Sequence, residues 1–169
     1  CEKSIAQLPD LARFDTLIIN SLHTAQTLPP EVTTKVTIIP PVFADMPVFG
    51  RVAKATSDNR QRKMLLVVGR VVSHKRIEDA IELLADIRTL GYDYNIAVVG
   101  SMPNPKYSKY LFNYARTLGV LDSVSFNGAV ANEDLFDLYQ NALAYLSMSK
   151  HEGFCVPVVE ALGFGVPVV

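Results

Sequence analysis

Residues 64–77 read Met-Leu-Leu-Val-Val-Gly-Arg-Val-Val-Ser-His-Lys-Arg-Ile. The unbroken apolar run Met64 to Val68, stopped by Gly69, has no alternation of apolar and polar positions. Such a run predicts a parallel strand covered on both faces. A short charged loop follows, and then a helix from about Lys75 to Leu90 with Ile77, Ala80, Ile81, Leu84 and Ile87 on one face and Gly91 as its stop. A strand that feeds an amphipathic helix through a short loop is the opening of a crossover unit.

Downstream the same unit repeats. Ile96 to Val99 reads as a second strand, and Tyr107, Tyr110, Leu111, Tyr114, Ala115 and Leu118 form the apolar stripe of a helix closed by Gly119. Val124 to Phe126 is a third strand, leading to a helix that Asn132 is suited to cap, with Glu133 and Asp134 in its first turn. Ala142 to Leu146 makes a fourth strand, a helix around Val158 to Leu162 follows, and Val166 to Val169 begins a fifth strand. The alternation predicts an α/β fold, a Rossmann-like doubly wound parallel sheet with right-handed crossovers.

Upstream the pattern is weaker. Asp15 to Asn20 and Val36 to Ile39 read as short strands with a polar, helix-like stretch between them. Pro40 to Arg62, with Pro40, Pro41, Pro47 and Gly50, suits a linker. The expected division is 1–45 for the end of one domain with its linker, and 46–169 for a second, incomplete domain. Neither the first residue, Cys1, nor the closing Val166-Pro167-Val168-Val169 looks like a natural boundary, so both ends are read as cut.

Composition sets outer limits. The 169 residues are 49% hydrophobic and 20% charged, enough to bury one core and without the mark of disorder. With 16 basic and 17 acidic residues the net charge is −1, which argues against a nucleic-acid binder needing a basic face. Cys1 and Cys155 are far apart and no zinc-ligand spacing occurs, so a reduced, cytoplasmic setting is expected. No apolar run reaches the length of roughly 18 residues that a membrane helix needs.

Doubly wound sheets bind ligands beyond the C-terminal ends of their strands. That rule selects Gly69 and Arg70 with Lys75 after the first strand, Gly100 and Ser101 after the second, Asn127 and Gly128 after the third, and Ser147 to Cys155 after the fourth. The edge therefore offers two cations, several glycines and the carboxylates of Glu152 and Glu160. Arg70 and Lys75 bracket one strand-to-helix loop, where cations can neutralise a departing diphosphate. Taken singly, each is better read as a solvated loop charge, and only the company the two keep favours a site.

The run His151-Glu152-Gly153-Phe154-Cys155-Val156-Pro157-Val158-Val159-Glu160-Ala161-Leu162 carries most information. Pro157 suits a helix's first turn, which turns the peptide N–H groups near Gly153, Phe154 and Cys155 into donors for anions or hydroxyls. Two glutamates eight apart would be separated by about 12 Å along a helix. A retaining hydrolase holds its carboxyls about 5 Å apart, so an acid and nucleophile pair is disfavoured and separate roles on one extended ligand fit better. Two surface glutamates flanking a buried helix remain the alternative.

With these residues quoted, the chain resembles the retaining GT-B glycosyltransferases of group one, also called family four. The resemblance runs over Asp15 to Val169 and rests on Glu152 to Glu160 with seven residues between, on Val68 to Arg76, on Val124 to Gly128 with Leu138-Tyr139, and on Asn20-Ser21, Thr24 and Ile38-Ile39-Pro40. It implies that Arg70 and Lys75 bind a donor diphosphate, that Glu160 accepts from ribose hydroxyls and that Glu152 meets the transferred sugar. It further implies that Gly69 and the backbone of Gly153, Phe154, Cys155 and Val156 line the sugar and phosphate site, and that Asn127, Gly128 and Ala129 line the base site. Glu152, Arg70 and Lys75 are the residues expected to act in catalysis. Cys155 stands where the family often has a small residue, and His151 is expected to serve loop structure.

The implied reaction is transfer of a sugar from a nucleotide-diphosphate-sugar to a glycan, lipid-linked or small-molecule acceptor with retention, and the implied cofactors and metals are none. The absence of an Asp-x-Asp motif agrees with a metal-independent design. Peripheral association with the inner face of a membrane is left open by the resemblance. Because most of the family's acceptor domain is not in the chain, the isolated polypeptide is expected to bind donor at best and to turn over negligibly. Three other readings stay open: another enzyme on the same fold, such as a sugar-nucleotide epimerase or phosphorylase; a non-catalytic nucleotide-sugar-binding module; and a dinucleotide dehydrogenase. The last lacks the Gly-x-Gly-x-x-Gly turn at Gly69 and Gly100.

Overall fold

The computed structural model describes residues 11–41 and 62–169. Most of the expected linker, and the expected boundary at 45, lie outside the described residues. The chain divides into two compact units: the described residues before 42 group with Glu152–Val156, and residues 62–151 group with 157–169.

The larger unit is a parallel sheet with helices on both faces. Its strands are β3 (Met64–Val68), β4 (Asn95–Val99), β5 (Val124–Gly128) and β6 (Ala142–Tyr145), in the order β5-β4-β3-β6. The helices are α2 (Ile77–Thr89), α3 (Pro105–Thr117), α4 (Asn132–Asn141) and α5 (Val156–Gly163). Strand β3 pairs with β4 on one side and with β6 on the other, both parallel, so the chain reverses direction of travel across the sheet between β5 and β6. That reversal puts a topological switch point beside the C-terminal end of β3.

Consecutive buried residues explain why β3 reads as continuous apolar sequence. Leu65 and Val67 face a layer with Ile77, Ile81, Leu84, Ile96, Val98 and Leu111, whereas Leu66 faces the opposite layer with Ala97, Val99, Tyr139, Tyr145, Ala161 and Phe164. Period-two alternation sends neighbours to opposite faces, and both faces are covered.

Helix boundaries follow local chemistry. Asn104 caps α3 by accepting from the backbone N–H groups of Lys106 and Tyr107, with Pro105 at the first position. Gly91 and Gly119, at φ 88° and 71°, end the chain's turn out of α2 and α3.

Four expectations change. Asn132 is not a cap: Ala131 takes the extended cap conformation, no side chain caps the helix, and Asn132 is already helical. Tyr110 does not belong to the buried stripe; it is 47% exposed and lies in a row of stacked rings with Tyr107 and Tyr114. Strand β5 continues past Phe126 to Gly128, with a register shift in which Val98 faces Phe126 and Val99 faces Gly128. Asn127 is the extra residue of that bulge, a feature invisible to patterns of hydrophobicity. The start of a fifth strand at 166–169 is present only as a parallel bridge of Val168 to Tyr145, supported by backbone hydrogen bonds from Tyr145 to Pro167 and from Val169 to Tyr145.

In the smaller unit, β1 (Thr16–Ile19) and β2 (Lys35–Ile38) form a parallel pair joined through α1 (Leu22–Gln26). Ser21 caps α1 by accepting from the Thr24 N–H, and the Thr24 hydroxyl donates to Asn20.

Candidate functional site

Within the larger unit, the strand ends come together as the sheet rule predicts. The Gly69 N–H donates to the Val99 carbonyl at 2.8 Å, and the Gly100 N–H to the Gly128 carbonyl at 2.7 Å. Three of the glycines named from sequence therefore lie on one edge. Gly69 and Gly100 have φ of 143° and 141°, which side chains rarely allow, and a Cβ on Gly100 would lie 2.0 Å from the Gly69 carbonyl oxygen. At position 100 the backbone of Gly69 approaches so closely that only hydrogen fits.

The loop after β3 passes through a turn of 3-10 helix at Ser73–Lys75 and a left-handed Arg76 before α2 begins. This path folds Lys75 back over Gly69: a Cβ at Gly69 would be 3.3 Å from Lys75 Cε and 3.4 Å from its Nζ. Gly69, Lys75, Val68, Tyr145, Ser147 and Ser149 line a small cavity at the switch point between β3 and β6. Arg70 is exposed one residue beyond Gly69.

The loop holds a third cation, Arg76, and its partners set it apart. Arg76 Nη2 pairs with Asp79 at 2.5 Å and its Nε approaches Glu78 at 3.7 Å, so it serves the acidic first turn of its own helix. Glu78 also accepts from the Tyr107 hydroxyl. Burial first, and then this bond to Glu78, push the Tyr107 phenol well above the usual tyrosine range.

Glu160 is half-buried in α5 and accepts from the Tyr139 hydroxyl at 2.8 Å. Tyr139 is fully buried, its ring stacked on Phe164 at 5.3 Å. Sequence reading named Glu160 and quoted Tyr139 only as part of the resemblance, with no role, because its position on α4 gives no signal of a partner on another helix. It also left His151 without one. The His151 ring stacks on His74 at 5.1 Å, and the Lys150 N–H donates to the His74 carbonyl at 2.9 Å, tying the loop after β6 to the loop after β3. Asn127 and Ala129 are exposed beside Gly128 at the end of β5.

The remaining sequence-selected residues, Glu152, Gly153, Phe154, Cys155 and Val156, group with the smaller unit. There Gly153 lies against Asn20, a Cβ being 3.3 Å from its Nδ2 and 3.7 Å from Thr24 Oγ1. Cys155 has φ 59°, one of two described non-glycine residues in the left-handed region. Because α5 begins at Val156, Glu152 precedes the helix and only Glu160 is helical, so the two glutamates are not partners along one helix axis. Among the described residues, no three His, Cys, Asp or Glu side chains gather to hold a metal ion, and no helix is long and apolar enough to cross a membrane.

A doubly wound sheet with a glycine-lined, lysine-covered switch point places the larger unit in the class of α/β domains whose ligands bind beyond the C-terminal ends of their strands. Comparison with known proteins narrows the class: the sequence model described as Glycosyl transferases group 1 matches residues 51–169, and the chain belongs to this family. Mannosylfructose-phosphate synthase from Agrobacterium fabrum is 32% identical over 144 residues, covering 78% of this chain and 31% of that protein. GDP-mannose:cellobiosyl-diphosphopolyprenol alpha-mannosyltransferase from Komagataeibacter xylinus is 32% identical over 108 residues, 63% of this chain and 27% of that one. The chain thus spans less than a third of the length of these curated relatives.

Among solved structures, sucrose-phosphate synthase from Thermosynechococcus elongatus matches with a TM-score of 0.74 at 22% identity, covering 98% of this chain and 42% of that chain. Anabaena HepE in complex with UDP and glucose matches with a TM-score of 0.74 at 20% identity, covering 99% and 48%. The fold is that of the GT-B glycosyltransferases.

Proposed function

We propose that the chain supplies the donor site of a retaining glycosyltransferase that moves a sugar from a nucleotide-diphosphate-sugar to a glycan, lipid-linked or small-molecule acceptor. The observation that carries this reading is Lys75 folded over Gly69 at the switch point, within a chain of the group 1 family. A cation there is suited to the charge that grows on the diphosphate as it leaves. Arg70, exposed beside it, is the second cation, whereas Arg76 is engaged by Asp79 and Glu78.

In this reading the bond from the anomeric carbon to the diphosphate oxygen breaks, and a bond from that carbon to the acceptor oxygen forms on the same face. The acceptor's proton passes to the leaving diphosphate, whose negative charge Arg70 and Lys75 hold. Glu160 takes the ribose hydroxyls, Glu152 the hydroxyls of the transferred sugar, and Asn127, Gly128 and Ala129 line the base. Backbone groups of Gly153, Phe154, Cys155 and Val156 line the sugar and phosphate. No metal takes part, residues 1–45 belong to the acceptor side and linker, residues 46–169 to the donor-binding domain, and the setting is cytoplasmic. The named relatives support sugar-nucleotide chemistry, since one is a GDP-mannose-dependent mannosyltransferase and one solved neighbour holds UDP and glucose.

The test is product analysis with the full reading frame. Nuclear magnetic resonance of the product should give the same anomeric configuration as the donor; an inverted product would contradict the mechanism, and donor epimerisation without transfer would contradict the reaction class.

A further inference from the structure

The partly buried contact between Tyr139 and Glu160 joins two helices, α4 and α5, on one face of the sheet. Tyr139 is 0% exposed, its ring stacked on Phe164 with an interplanar angle of 7° and tilted against Tyr145. Its hydroxyl has two acceptors in reach, Glu160 Oε2 at 2.8 Å and the Pro157 carbonyl at 3.3 Å. It has one proton to give. The carboxylate is both nearer and charged, and charge-assisted bonds are shorter and stronger than neutral ones, so the proton goes to Glu160. The ring cannot follow a moving carboxylate, because its neighbours fix it.

A glutamate side chain on a helix otherwise samples several rotamers, and a ligand that needs one of them must bear the loss of that freedom on binding. A donor anchored in the core removes that loss beforehand and leaves the carboxylate's other oxygen to accept from a ligand. We infer that Tyr139 is a positioning residue that pre-sets Glu160 to receive the vicinal hydroxyls of a bound nucleotide's ribose. The inference rests on the proposed role of Glu160 and adds to it a residue that never touches the ligand.

The experiment compares two ligands on each variant. The nucleoside diphosphate that binds tightest among UDP, GDP and ADP is titrated beside its 2′,3′-dideoxy counterpart into wild type, Tyr139→Phe, Glu160→Gln and the double variant. The phenylalanine keeps the ring and its stacking. Wild type should prefer the ribose form by about tenfold or more, as expected when a charged acceptor gains a hydroxyl partner. Tyr139→Phe should reduce that preference several-fold while leaving dideoxy binding unchanged, and the double variant should show no further loss beyond Glu160→Gln. Since both ligands meet the same preparation, partial unfolding lowers both affinities alike and leaves the ratio intact. A wild-type ratio in Tyr139→Phe, with a collapsed ratio in Glu160→Gln, would overturn the positioning role alone. An unchanged ratio in Glu160→Gln would overturn the ribose role of Glu160 and the inference with it.

Discussion

The ammonium nitrogen of Lys75 lies 3.4 Å from where a Cβ on Gly69 would stand. The two residues are six apart in sequence, and a single strand-to-helix loop brings them together. Glycine at 69 thus leaves room for the lysine's present path. Gly69→Ala should lose stability by roughly 1–3 kcal/mol through its strained φ, and displacement of the flexible lysine should weaken nucleoside diphosphate binding as well. Chemical denaturation and calorimetry on the same variant separate the two effects.

Gly100→Ala is a harsher change, because its Cβ would meet a backbone oxygen at 2.0 Å and backbone cannot swing aside. Denaturant midpoints should fall by more than for Gly69→Ala, with a loss of at least about 3 kcal/mol. Equal stability of the two variants would contradict the close approach of β3 and β4.

The His74 and His151 rings tie the loop after β3 to the loop after β6. His151→Ala should weaken nucleoside diphosphate binding several-fold by loosening the loop that holds Lys75, and His151→Phe, which keeps a stacked ring, should restore most of it. Comparable losses in both variants would mean that the imidazole acts through its nitrogens and not through stacking.

Cys155 carries φ 59°, a conformation open to glycine at no steric cost. Cys155→Gly should be close to neutral, the relief of strain offsetting the added freedom of the unfolded chain, whereas Cys155→Val should destabilise by about 1–3 kcal/mol. Thermal melts of the pair test this directly.

Tyr107 gives a pH dependence whose sign is fixed. Burial and the bond to Glu78 raise its folded-state pKa, so the fold prefers the neutral phenol. The contribution is complete below the unfolded value of about 10 and is lost as pH rises above it toward the folded value. Stability of wild type should fall more steeply above that pH than stability of Tyr107→Phe, as followed by denaturant titration, while an ultraviolet titration should find less late-ionising tyrosine in Tyr107→Phe than in wild type.

The doubly wound sheet was legible because its cause is local and repeated: Leu65, Leu66 and Val67 are all buried, so the strand has no polar face, and Ile77, Ala80, Ile81 and Leu84 recur at helical spacing. Gly69, Gly100 and Gly128 were legible as strand-end glycines because their backbone angles exclude most side chains. Contacts between elements were not legible. Nothing in the spacing of Tyr139 and Glu160 announces their bond, and the stacking of His74 on His151 depends on two loops meeting after the sheet has formed. The bulge at Asn127 and the uncapped start of α4 escaped for a similar reason, since tertiary pairing overrode local preference.

The central claim is that the loop from Gly69 to Lys75 receives a diphosphate. Its most direct test is calorimetric titration of UDP, GDP and ADP into wild type, Arg70→Ala and Lys75→Ala. The account predicts that at least one of the three binds tighter than about millimolar, and that each substitution weakens that binding by about 1–3 kcal/mol. Binding of none of them, or unchanged affinity in both variants, would contradict it.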